Sequence, residues 1–285
     1  MKPSEETLIY FATFCWGKIN LRHSTIKLYL AGIKFYFLSN FAFNPMQANG
    51  QPLLRLEKIL KAIKRLQGAP QNRRLPLTAK HLCQLCHLLN QGVFGLFVDR
   101  LLAASFTLAF FGFLRCGEFT CQGADFDPSV NLKWSDLKWV SSKEFHLNLP
   151  ASKTDPFRAG VTIRIFANNS TICPVKAMLH YCALRRNSLC NHDSPLFINE
   201  SSKPLTRTYF LERLRTLMSK LCYPTGVYSG HSFRSGAATT AAACSIPDHL
   251  IKAMGRWVSD SYERYIKVSS ETIQQAHQSM SNFGV

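Results

Sequence analysis

The sequence predicts a mostly α protein with a small antiparallel β-sheet, an α+β chain of two domains. Three observations carry that expectation. Apolar residues recur at helical spacing over most of the 285 residues. Only from about residue 126 to 165 does the period shift toward alternation. Residues 68–76, Gly-Ala-Pro-Gln-Asn-Arg-Arg-Leu-Pro, combine Gly, two prolines and polar residues without periodicity, the composition of a linker. The expected division is therefore a helical domain over 1–68, a linker over 69–77 and a larger domain over 78–285.

In the first domain, residues 7–16 carry Leu8, Ile9, Phe11, Ala12 and Cys15 at helical spacing. Ser24 is placed to cap a helix running to about Asn40, with Ile26, Tyr29, Leu30, Ile33 and Phe37 as its buried stripe. Asn44-Pro45 breaks that pattern. A third helix is expected over 52–67, with Leu56, Ile59, Leu60 and Ile63 inward. Lys58, Lys61 and Arg65 then fall on its other side, either as a solvated charged face or as a stripe facing DNA. Arg73 and Arg74 in the linker are suited to gripping backbone phosphate.

In the second domain, Thr78 caps a new helix, and 82–89 and 98–113 read as core helices. The second of these ends in Phe-Gly-Phe-Leu-Arg115-Cys-Gly-Glu118. Short strands are expected at 130–134, 144–149 and 161–165, the last two joined by a turn that bears Lys153. Cys173-Pro174 opens a helix to about Arg186, and another runs from about Thr206 to Leu221. The segment 231–243 is rich in Ser, Gly, Ala and Thr, so its helix can pack close to its neighbours. Pro247 starts a helix that Gly255 is expected to stop. Ser259 caps the helix that carries Tyr265. One more amphipathic helix is expected over residues 270–280, with Ile273, Ala276 and Met280 as its docking face.

The bulk numbers narrow the function classes. Lys and Arg number 34 against 17 Asp and Glu, a net charge of +17, which calls for a polyanionic partner. Nucleic acid is the simplest; an anionic membrane lacks the lysine-rich amphipathic helix it would need. The most apolar run, 101–114, is broken by Ser105, Thr107 and Gly112 and is too short to span a bilayer. The N-terminus is acidic where a signal peptide is basic, so an intracellular protein is expected. The ten cysteines are scattered through apolar segments and read as reduced thiols. Cys83-Gln-Leu-Cys86-His87 matches a haem-attachment pattern, but it sits inside a helical repeat, and no second Cys/His pair is spaced for zinc.

The chemistry concentrates near the C-terminus. Gly230-His231-Ser-Phe-Arg234 puts His231 and Arg234 three apart, on one helical face. A guanidinium can grip two phosphate oxygens while an imidazole moves a proton. Gly255-Arg-Trp257-Val-Ser-Asp-Ser-Tyr262-Glu-Arg-Tyr265-Ile follows, with two tyrosines as possible attacking groups.

Taken in order, Arg115 with Glu118, Lys153 on a hairpin, His231-x-x-Arg234, Trp257 and Tyr265 resemble the tyrosine recombinase (phage integrase) superfamily. The phrase Gly255-Arg-Trp257 through Tyr265-Ile is most like that of enzymes from eukaryotic mobile elements. Trp257 stands where many relatives carry a second histidine. The nucleophile of relatives follows that position by about nine residues, whereas Tyr265 follows Trp257 by eight. The resemblance covers residues 78–275, and residues 4–67 look like the small helical (SAM-like) core-binding domain of the family.

The resemblance implies a two-domain recombinase architecture and a reaction without metal, cofactor or ATP. Arg115 and Arg234 would clamp the phosphate, Tyr265 would attack, Lys153 would protonate the leaving 5′ oxygen, and His231 would move the tyrosine proton. Trp257 would hydrogen-bond the phosphate or pack on the nucleophile helix, and Glu118 would orient a neighbour. The implied partners are double-stranded DNA and three further copies of the chain, with the C-terminal helix docking on a neighbouring protomer; the implied location is the nucleus in a eukaryote. Tyr262 remains the rival nucleophile, and Lys138 and Lys143 the rivals of Lys153. A type IB topoisomerase and a DNA-binding protein that has lost catalysis are the competing functions.

Overall fold

In a computed structural model of the chain, the structure describes residues 2–68, 74–150, 160–185 and 191–265, with 274, 277, 278 and 281. The chain divides into two compact units, 1–73 and 74–285.

The first unit is built on three helices: α1 (Glu5–Gly17), α2 (His23–Phe41) and α3 (Leu54–Gln67). A two-residue hairpin, β1 (Gln47–Ala48) and β2 (Gln51–Pro52), precedes α3. Leu8, Ala12, Cys15, Ile26, Leu30, Leu53, Leu56 and Ile63 form its core. The helices cap one another. Glu5 Oε1 accepts the Arg55 and Leu56 N–H groups at the start of α3. Gln67 at the end of α3 accepts the His23 N–H at 2.8 Å and donates to the Leu21 carbonyl. Ser24 is therefore not the cap of α2: Arg22 holds the cap position, two residues earlier than expected, and a side chain from α3 satisfies the helix's first donor. Tyr29, expected inside, is 48% exposed. The narrow apolar stripe of α2 is Ile26 and Leu30, flanked by the partly buried Ile33 and Phe37.

The second unit is assembled around α5 (Leu96–Phe111), which is buried at every position from Val98 to Phe110 except the half-buried Arg100. A helix surrounded on nearly all sides has little polar face to spare, which is why its sequence is mostly apolar and its buried polar residues are paired: Asp99 accepts the Val93 and Phe94 N–H groups, and Ser105 and Thr107 donate to carbonyls one turn back. Against it pack α4 (Ala79–Asn90), α7 (Pro174–Arg185) and α9 (His231–Ala243). The short α6 (Cys116–Phe119) follows α5, α8 (Arg207–Lys220) joins from the far side, and α10 (Asp248–Gly255) follows α9. Phe106, Phe119, Phe210 and Phe233 interlock with ring centroids 5.0–5.6 Å apart and tie α5, α6, α8 and α9 together.

The sheet is antiparallel in the order β3 (Leu137–Ser141), β4 (Glu144–Leu149), β5 (Val161–Phe166). On β4, Phe145, Leu147 and Leu149 are buried and alternate with half-buried polar residues, the period-2 pattern of a sheet with one covered face. No strand forms at 130–134. Asp127 accepts hydrogen bonds from the Ser129 and Asn131 backbone and closes a turn there, and Trp134 begins a 3-10 turn. Local turn chemistry overrides the alternation.

Residues 74–77, expected to end a linker, are bound to the second unit: Leu75 N–H donates to the Val227 carbonyl and Leu77 N–H to the Ser232 carbonyl, both at 2.8 Å. A Cβ on Gly236 would overlap the Leu77 carbonyl, so this strap lies directly on the backbone of α9. Ala79 N–H donates to Thr240 Oγ1, which fastens the start of α4 to α9 as well.

Among the described residues, no helix is long and apolar enough to cross a membrane, and no group of His, Cys, Asp and Glu converges to hold a metal ion. Cys86 of the haem-like pattern is buried in α4, and burial pushes its thiol up to about 12.

Candidate active site

The site lies where the end of α5, the start of α9 and the segment after α10 meet. Arg115 is the residue before α6; its backbone is extended, and the Glu118 carboxylate accepts its N–H at 2.8 Å and its Nη1 at 2.8 Å. Glu118 is thus a side-chain cap that also fixes a guanidinium. It is 5% exposed, Arg115 22%.

His231 opens α9 and is exposed; Arg234, one turn on, is 1% exposed. Phe233, between them, points into the aromatic core and fixes the roll of the helix. Arg234 donates from Nη1 to the Phe113 carbonyl at 2.7 Å and from Nη2 to the Gly255 carbonyl. Two of its five N–H donors are thereby spent on the C-terminal ends of α5 and α10, where helix dipoles favour a cation. Its guanidinium lies 4.3 Å from the centre of the Trp257 ring, a cation–π contact. Burial, and then the neighbouring Arg115 and Arg256, push its pKa down to about 9.

Gly255 is needed here because a Cβ would overlap the Trp257 ring. It does not stop α10 by a left-handed turn, as the sequence suggested. It is the last helical residue, and Arg256 adopts the left-handed conformation with φ 55°.

Tyr265 ends a 3-10 turn, Asp260–Tyr265, rather than sitting in an α-helix. Its hydroxyl is 2.7 Å from His231 Nε2, and its carbonyl accepts from Thr239 Oγ1 at 2.9 Å. The same face of α9 therefore holds this tyrosine at both ends. Tyr262 is 7% exposed and packs on Trp257, with the Lys252 ammonium 5.9 Å from its ring centre. One of the two candidate tyrosines is paired with an imidazole, and the other is a packed aromatic.

Three guanidiniums and one carboxylate thus share a small volume, and the Tyr265 hydroxyl sits at its edge. An excess of fixed positive charge in a partly desolvated pocket suits a phosphodiester, and a hydroxyl hydrogen-bonded to an imidazole is the arrangement of an activated nucleophile.

Neither a protein-family profile nor a curated protein sequence matches this chain. Solved structures do. A XerH site-specific recombinase bound to a palindromic difH substrate, in a post-cleavage complex, is 14% identical with a TM-score of 0.62, covering 96% of this chain and 69% of that one. The Tn1549 transposon integrase in complex with circular intermediate DNA is 13% identical with a TM-score of 0.60, covering 96% and 84%. A lambda integrase dimer bound to a COC′ core site is 18% identical with a TM-score of 0.56, covering 93% and 64%.

The fold is that of the tyrosine recombinases. Within this fold, Arg115, Glu118, His231, Arg234, Trp257 and Tyr265 lie together, from positions up to 150 residues apart. Lys153 and Arg73 lie outside the described residues, as does most of the 270–280 segment. Lys138 in β3 and Lys143 between β3 and β4 are exposed. Lys58, Lys61 and Arg65 line one open groove on the outer face of α3, together with Ala62 and Leu66. Arg74 is turned to the Gly226 carbonyl of its own unit.

One residue at the site went unassigned in the sequence: Arg256. Its signal was present, since it stands nine residues before Tyr265, the spacing that Trp257 misses by one.

Proposed function

We propose that this protein is a site-specific DNA recombinase or integrase that cleaves and rejoins DNA through a 3′-phosphotyrosine. The observation that carries the reading is the 2.7 Å hydrogen bond between His231 Nε2 and the Tyr265 hydroxyl, beside the buried guanidinium of Arg234. Tyr265 Oη attacks the scissile phosphorus and passes its proton to His231. The P–O5′ bond breaks, and Lys153 protonates the departing 5′ oxygen. Arg115 and Arg234 stabilise the extra negative charge of the five-coordinate transition state; losing one such donor typically costs about 10²–10³ in rate. The covalent ester conserves the bond energy, so a second 5′-hydroxyl can reverse the step and complete strand exchange. In this reading, residues 78–285 are the catalytic domain and 1–68 the core-binding domain, with Lys58, Lys61, Arg65, Arg73 and Arg74 contacting phosphate. Four protomers act on two duplexes, each docking its C-terminal segment, 270–280, on a neighbour. The Gly255-Arg256-Trp257 phrase favours a eukaryotic mobile element and hence work in the nucleus.

A specific observation also supports a non-catalytic reading. Arg234 is 1% exposed and lies against the Trp257 ring, so a phosphate reaches it only if its cover shifts. One experiment separates the two readings. Duplexes enriched from a random library by the protein are rebuilt with a nick that lets the cleaved 5′ end diffuse away. A covalent protein–DNA adduct that vanishes in Tyr265→Phe is expected. Tight binding with no adduct on any enriched duplex would leave only the DNA-binding function. Joined junctions between two duplexes then distinguish exchange from relaxation of supercoils.

A further inference from the structure

Arg256 makes more polar contacts at this site than a surface arginine has reason to. Its side chain is 14% exposed. Nη1 donates to the Gly112 carbonyl at 2.9 Å; Nη2 lies 3.0 Å from Glu118 Oε2 and 3.3 Å from the Phe113 carbonyl. Its Nε is buried with no hydrogen-bond partner among the described residues, so the two Nη ends alone set the group. Both ends of this contact are in the left-handed region: Phe113 has φ 49° and Arg256 φ 55°. For residues with a Cβ that conformation costs energy and is kept only where surroundings demand it. Here it turns the Gly112 and Phe113 carbonyls toward a guanidinium, and the guanidinium toward them.

These contacts close a circuit. The Phe113 carbonyl accepts from both Arg234 and Arg256. The Glu118 carboxylate accepts from Arg256 on Oε2 and from Arg115 on both oxygens, through its N–H and its Nη1. Arg115 and Arg234, the two proposed phosphate clamps, thus share one intermediary.

We propose that Arg256 is a positioning residue that aims Arg115 through Glu118 and ties its placement to that of Arg234, rather than a third group on the phosphate. The inference deepens the recombinase reading and rests on it for its kinetic test. Burial and the neighbouring Arg115 lower the Arg256 pKa against the raising effect of Glu118, as expected for a cation held by a single carboxylate among other cations.

The test is a double-mutant cycle read on the nicked duplex, with duplex affinity measured in parallel. Arg256→Gln and Glu118→Gln each slow adduct formation about 100-fold while duplex affinity stays within about threefold, and the double variant is no slower than either single one. Losses that multiply to about 10⁴-fold overturn the proposal, because they mean independent contributions. A second measurement needs no DNA. Phenylglyoxal modification of Arg115, followed by peptide mass spectrometry, accelerates about tenfold or more in Arg256→Gln and less in Arg256→Lys, which keeps a donor in place. An unchanged Arg115 rate with an intact circular dichroism spectrum also overturns it. If the parent protein forms no adduct, the recombinase reading fails, and the labelling still decides whether Arg256 holds Arg115.

Discussion

The chemistry of the site is set by single side chains that the fold holds at a cost. Arg234 is the clearest case: a cation 1% exposed, between two carbonyls and an indole, with two other guanidiniums nearby. Its pKa in the folded protein, about 9, is far below that in the unfolded chain. Below pH 9 both states hold the proton, and the burial cost is present in full. Between that pH and the unfolded value the unfolded chain binds more protons, so this group makes stability rise with pH. A bound dianion reverses the balance by favouring the charged guanidinium. Sulfate is therefore expected to raise the melting temperature most below pH 9 and progressively less above it, and Arg234→Ala should abolish that pH dependence in a thermal-shift titration. Tyr262 makes the complementary point. Packed on Trp257 rather than paired with His231, it is expected to be dispensable for bond cleavage: Tyr262→Phe should still form the adduct, read on the nicked duplex.

The elements deliver these side chains by touching backbone to backbone. α9 carries His231, Arg234 and Thr239, and its small residues let the 74–77 strap lie against Gly236. Gly236→Ala forces α9 and the strap apart. A loss of about 1–3 kcal/mol in unfolding free energy is expected, read as a lower urea midpoint with unchanged slope. Much of this was legible from sequence, because α9 and β4 are set by local patterning: the run 231–243 and the alternation Phe145, Leu147, Leu149 lie where expected. Where local rules competed, the reading failed. At 130–134 an Asp127 turn defeated the alternation, and at α2 the cap came from Gln67, 44 residues away. Arg115, Glu118, His231, Arg234, Trp257 and Tyr265 could be singled out in the sequence because each belongs to a short motif. The left-handed Phe113 and its contact with Arg256 could not be, since the reason for both lies in a meeting of residues more than 140 positions apart.

At the scale of the whole chain, charge is the main signal, and it is unevenly distributed. Residues 1–73 hold 11 Lys and Arg against 3 Asp and Glu, a denser excess than the 23 against 14 in residues 74–285. The smaller unit is thus expected to supply much of the affinity for a polyanion. Each phosphate contact contributes about 0.9 to the slope of log affinity against log salt for duplex DNA. Replacing Lys58, Lys61 and Arg65 by Ala, one at a time, should flatten that slope by about one step each, measured by fluorescence anisotropy between low and physiological salt. Unchanged slopes would mean that the α3 face is simply solvated.

The bond between His231 and Tyr265 joins two ends of one polypeptide, with Thr239 holding the tyrosine carbonyl to the same helix. In the recombinase reading, ownership follows from that: the tyrosine reacts within the subunit that supplies its His231 and Arg234. Two crippled proteins, Tyr265→Phe and Arg234→Ala, should therefore stay inert when mixed on the same duplex. Any adduct recovered from the mixture would mean that the tyrosine is lent across to a neighbour during the reaction.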